Sequence, residues 1–132
     1  MGAISIFILV ISFRFSLSLS LFYYYLSYIM KTLTNSQFTQ AISSGVVVVD
    51  FFAERCGPCK MLAPYLEEMS MKLAGQATFY KVDVDSEQQL SMAQGITAMP
   101  TIKVFIDGVE FRMIRGADAQ GIWTAINDAI KS

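Results

Sequence analysis

The sequence predicts an α/β domain with a mixed central β-sheet flanked by helices on both faces. Three observations predict it. From residue 30 onward the hydrophobic patterns follow the order (β)αβαβαββα. The run Val46-Val47-Val48-Val49-Asp50-Phe51-Phe52 is β-branched and aromatic without alternation, as in a strand covered on both faces. Asp107-Gly108 separates two further strand patterns and reads as a tight hairpin. Crossovers first and a hairpin last require parallel and antiparallel neighbours in one sheet.

Met30 to Leu33 reads as a short edge strand. Thr32 to Gly45 reads as a short helix, with Phe38, Ala41 and Ile42 at i, i+3, i+4, a cap at Thr34, Asn35 or Ser36, and a stop at Gly45. After the Val46–Phe52 strand, Cys56 to Ala74 reads as a long helix. Its apolar stripe is Leu62, Tyr65, Leu66, Met69 and Leu73, and Gly75 ends it. Pro58 is tolerated in the first turn, whereas Pro64 in the interior is expected to kink the helix. Ala77 to Val84 is the next strand. Asp85 or Ser86 then caps a short helix with Leu90 and Ala93, stopped by Gly95. Strands Thr101–Ile106 and Val109–Ile114 form the hairpin, and Gly116 breaks the second. Asp118 caps a last helix with Ile122, Ala125, Ile126, Ala129 and Ile130 on one face.

Of the 132 residues, the first 30 contain 22 apolar residues, six Ser and a single charge, Arg14. Residues 31–132 carry nine basic and eleven acidic residues, and the globular domain spans residues 30–132. Three readings of the leader, residues 1–29, compete. As a cleaved signal it has an apolar stretch at Ala3 to Ile11 but no positive region before it. As a membrane anchor it is long enough, about 40 Å as a helix, but contains Arg14. As a mis-assigned upstream segment it leaves Met30 as the true start, at the break in composition. The last reading makes the protein cytoplasmic. The others place it on a membrane or in the secretory pathway.

The near-neutral balance argues against a nucleic-acid binder, which needs a basic face. The chain has no His, which excludes Ser–His and Cys–His nucleophile pairs and imidazole metal sites. Its two Cys cannot staple a disulfide scaffold, nor supply the four ligands of a structural zinc.

Both cysteines lie in Cys56-Gly57-Pro58-Cys59, at a helix start directly after a buried strand. Residues i and i+3 of a first turn can close a small disulfide ring. The unpaired N–H groups there stabilise a thiolate on the first sulfur, and the thiolate is the species that attacks disulfides. Arg55 adds a cation expected to favour the same ionisation. Half of a metal site shared by two chains, or two incidental cysteines, are the bland alternatives. Asp50 sits six residues earlier inside the buried strand, where a carboxylate is costly. It is either a proton acceptor for Cys59 or a core Asp bonded to nearby backbone. Lys81 in the neighbouring strand either pairs with it or is an exposed strand lysine. Pro100 precedes a strand, and a cis bond there would fix a turn near the disulfide.

Taken together, Val46 through Lys60, Met99-Pro100-Thr101, Asp107-Gly108 and Gly116 resemble the thioredoxin family over about residues 30–132. The resemblance implies the thioredoxin-like fold and protein-disulfide reductase activity in cell redox homeostasis. Cys56 is then the attacking nucleophile and Cys59 the resolving thiol. Asp50 and Lys81 tune proton transfer. Met99 and cis-Pro100 line the substrate groove, with Gly57, Pro58 and Gly116 on its rim. It also implies no metal and no bound cofactor beyond the Cys56–Cys59 disulfide, electrons from an NADPH-dependent flavoprotein reductase, disulfide-bearing client proteins, and a monomer. One position departs: the family has Trp before the first Cys, and here it is Arg55. The single Trp, Trp123, lies in the last helix. Two rivals remain: a secretory-pathway oxidase or isomerase, and a non-catalytic interaction module using the same groove.

Overall fold

The computed structural model describes residues 18–21 and 30–132. The readings of the leader therefore lie outside the described residues, except for one exposed helical turn at 18–21. No helix among the described residues is long and apolar enough to cross a membrane.

The elements are β1 (Lys31–Thr32), α1 (Asn35–Ala41), β2 (Val46–Phe52), α2 (Gly57–Lys72), β3 (Thr78–Asp83), α3 (Gln88–Ala93), β4 (Thr101–Ile106), β5 (Val109–Arg115) and α4 (Ala119–Lys131). They form a five-stranded sheet in the order β1-β3-β2-β4-β5. β1 and β2 run parallel to β3, whereas β4 runs antiparallel to both β2 and β5. This is the mixed sheet that the element order predicts.

β2 lies at the centre because both of its faces are apolar. Val47, Val49 and Phe51 pack with Phe38 and Ile42 from α1 and its C-cap, and with Leu90 from α3. Val48 points the other way, against Leu62, Leu66 and Met69 of α2 and Ile122, Ala125 and Ile126 of α4. The period of two along β2 thus puts two helices on each face. Phe38 meets Phe51 and Phe105 at centroid distances of 6.2 and 5.8 Å, which anchors α1 over the sheet.

Local chemistry sets the boundaries. α1 starts at the Thr34 cap, where Gln37 Oε1 accepts the Thr34 N–H at 3.0 Å. It ends at Ala41, earlier than Gly45, because residues 42–45 turn back into β2. The hairpin turn has Asp107 and Gly108 at φ 50° and 85°, and the Asp107 carboxylate also accepts the Gly45 N–H at 2.7 Å. The Asp118 carboxylate caps α4 through the Gly121 N–H at 2.9 Å.

Three expectations need correction. Tyr65 does not belong to the buried stripe of α2 and is 55% exposed, since its position turns outward from the Leu62–Leu66–Met69 line. Cys56 is the N-cap of α2 and not its first helical residue. α3 is capped at Glu87, while the Asp83 side chain accepts from the Asp85 N–H and the Ser86 hydroxyl. α2 is continuous from Gly57 to Lys72 with the expected Pro64 inside it, on the exposed side of the helix. We expect Leu66→Ala to destabilise the protein by about 2–5 kcal/mol and Tyr65→Ala by less than about 0.5 kcal/mol in denaturant titrations. Equal losses would place Tyr65 in the core.

Candidate active site

β2 delivers the chain to the site from the buried centre of the sheet. A turn closed by Cys56 N–H donating to the Ala53 carbonyl (3.2 Å) lifts Glu54 and Arg55 to the surface and starts α2. Cys56 has extended backbone as N-cap, so its sulfur folds over the first turn of the helix and accepts the Cys59 N–H at 3.2 Å. Pro58 in the first turn leaves no donor wasted.

Cys56 and Cys59 are joined by a disulfide. The two sulfurs differ in access. Cys59 is 4% exposed, while Cys56 is half-buried behind the exposed Gly57 and Pro58. Only Cys56 offers an approach to a macromolecular partner.

On the outer side of Cys56, its Sγ lies 3.6 Å from the Met99 carbonyl oxygen. The Met99–Pro100 bond is cis. The Pro100 carbonyl accepts the Gly116 N–H at 2.8 Å, and the Thr101 hydroxyl donates to the Ala98 carbonyl at 2.7 Å. Gly57, Pro58, Met99, Pro100 and Gly116 therefore gather around one disulfide although they come from three segments of the chain. Met99 is 39% exposed, while Pro100 is buried.

Behind the disulfide is a cavity of about 340 Å³, lined by Asp50, Phe52, Ala53, Glu54, Cys59, Lys60, Ala63 and Lys81. Asp50 is 3% exposed, and its Oδ1 has no hydrogen-bond partner among the described residues. That removes the bland reading of a core Asp satisfied by backbone. Burial pushes its ionisation up from the ordinary 3.8 to about 7, with the positive charge of Lys81 opposing. Lys81 stands directly across from Asp50 in the β2–β3 register. The two do not form an ion pair: Lys81 Nζ lies over the Phe52 ring, 5.3 Å from its centroid. The sequence reading missed Glu54 and Lys60 as cavity residues. Their signal was their position on either side of the two cysteines. Arg55 is exposed and has no ion-pair partner among the described residues.

The thioredoxin family model matches residues 29–128. The chain belongs to the thioredoxin family. Thioredoxin-1 of Saccharomyces cerevisiae is 44% identical over 94 residues, covering 70% of this chain and 90% of that protein. An H-type thioredoxin of Chlamydomonas reinhardtii is 52% identical over 71 residues, covering 54% of this chain and 63% of that relative's length. The crystal structure of Malassezia sympodialis thioredoxin superposes with a TM-score of 0.71 at 40% identity, covering 76% of this chain and 90% of that one. With the Cys56–Cys59 pair, the chain is a dithiol thiol–disulfide oxidoreductase, and thioredoxins are protein-disulfide reductases that work without a bound cofactor. Family membership implies disulfide-bearing clients and a thioredoxin reductase as general partners.

The raised ionisation of Asp50 fixes a sign for stability. The folded state holds this proton more tightly than the unfolded chain does. Its effect on stability is absent below about pH 4, grows unfavourable as pH rises to about 7, and is constant above that. Asp50→Asn should therefore gain stability relative to the parent between pH 4 and pH 8, by on the order of 4 kcal/mol. Parallel stability curves for the two proteins would show Asp50 to be an ordinary solvated acid.

Proposed function

We propose that the protein reduces disulfides in client proteins, accepting electrons from an NADPH-dependent flavoprotein reductase. The observation that carries this reading is the Cys59 N–H directed at Cys56 Sγ, at the start of α2, on the more exposed of two unequal sulfurs. In the reduced protein that N–H and the positive end of the helix favour a thiolate on Cys56.

The reaction has two steps. Cys56 thiolate attacks one sulfur of the client disulfide, forming the Cys56–client mixed disulfide and releasing the other client sulfur as a thiolate. Cys59 then gives up its proton, attacks Cys56 Sγ and releases the second client thiolate, leaving the Cys56–Cys59 disulfide. The client gains two electrons and the protein loses two. Asp50, across the cavity from the surface, takes the Cys59 proton, and its ionisation near neutrality suits a group that must accept and return it. Lys81 sets the charge beside Asp50. Gly57, Pro58, Met99, Pro100 and Gly116 receive the client backbone. The protein acts as a monomer.

The reducing direction fits a cytoplasmic protein whose translation starts at Met30, because reducing thiol pools are found there. The N-terminal sequence of the native protein tests this placement. A start at Met30 supports it, and a retained leader moves the protein to a membrane.

Cys56→Ser should abolish reduction of a protein disulfide. Cys59→Ser should stop after the first step and accumulate a covalent client adduct visible by mass and reversed by dithiothreitol. Normal turnover by Cys59→Ser would eliminate the second step. Asp50→Asn should slow release of the client from the mixed disulfide by about 10²-fold, leaving its formation less affected.

A further inference from the structure

The surface around Cys56 carries a charge that the reduction chemistry does not use. Arg55 stands at the top of the Ala53–Cys56 turn, exposed, one residue before the nucleophile. The cations of the described residues that form ion pairs are Lys72, Lys103 and Arg112, and Arg55 is not among them. Arg115 is another exposed cation without an ion-pair partner among the described residues, adjacent to the Gly116 that hydrogen-bonds Pro100 beside the sulfur.

Of the acids nearby, Glu54 is exposed beside Arg55, lines the cavity behind the disulfide with Lys60 and Lys81, and is in no ion pair among the described residues. Asp83 accepts from Asp85 N–H and Ser86, Glu87 accepts the Asn35 N–H at 3.1 Å, and Asp118 caps α4. Asp85 lies with Glu87 and Asn35 in a separate polar recess. A slightly acidic domain thus presents two exposed guanidinium groups, Arg55 and Arg115, on the segments that border its reactive groove, neither in an ion pair among the described residues.

Building on the reductase reading, we infer that Arg55 is a specificity-determining residue that selects client disulfides flanked by aspartate or glutamate. The Met99 side chain is apolar and does not discriminate by charge. A guanidinium beside Cys56 does: it forms a hydrogen-bonded ion pair with a carboxylate next to the client's attacked sulfur, and it repels lysine or arginine there.

The test uses three peptides with the same disulfide-closed loop, flanked by Asp and Glu, by Ser, or by Lys. Second-order rate constants are measured in single turnover with the pre-reduced full chain, so no reductase is needed. The acidic peptide should react about tenfold faster than the basic one at low ionic strength, and the ratio should shrink at high salt. Arg55→Gln should bring the ratio near one, Arg55→Glu should invert it, and Arg55→Lys should keep most of it. An effect of Arg55 on Cys56 ionisation acts on all three peptides alike and cancels in the ratio. A preference that survives Arg55→Gln, or a parent protein indifferent to peptide charge, overturns the assignment while leaving the reductase standing. Failure of the parent to reduce any of the three peptides overturns the reductase reading, and the selectivity falls with it.

Discussion

A single backbone N–H, that of Cys59, aimed at Cys56 Sγ, organises the site. It is free to do so because it belongs to the first turn of a helix, where amide donors have no carbonyl behind them. The helix begins there because the Ala53–Cys56 turn and the extended N-cap backbone of Cys56 end the strand abruptly. The strand in turn is held in place by apolar packing on both of its faces. A shift in where α2 begins would move the donor off the sulfur and remove the difference between the two thiols.

Asp50 shows how the same architecture sustains a group that works against folding. A carboxyl without a partner at Oδ1, on the central strand, raises the free energy of the folded state whenever it is ionised. Lys81 softens that cost from across the register without closing an ion pair. Full pairing would hold Asp50 ionised and unable to take a proton near neutrality. Asp50 and Cys59 line the same cavity behind the disulfide.

The disulfide therefore has two unlike sides. Toward the cavity lie the buried acid and the charges that accompany it. Toward solvent lie Met99, cis-Pro100, Gly116 and the unpaired cations Arg55 and Arg115. In the proposed mechanism proton handling belongs to the first side and partner contact to the second, so a change at Arg55 would act on encounter with a partner and a change at Asp50 on the partner's later release.

Much of this was legible in the sequence, since it depends on short-range chemistry. The unbroken Val46–Phe52 run announced a doubly covered strand, Asp107-Gly108 a hairpin, and the Cys-Gly-Pro-Cys segment a helix start that carries both sulfurs. Boundaries were less legible: α1 closed early because Gly45 is tied to Asp107, 62 residues away. The outward turn of Tyr65 reflects where α4 and the sheet sit, which heptad-like spacing on α2 alone does not contain. Whether Asp50 was bonded or orphaned, and whether Lys81 reached it, depended on register and on the space left behind Cys59. Residue types and local spacing determine which groups are present and how they are capped. Only the folded packing decides which of them are denied water, because desolvation is set by neighbours distant in sequence.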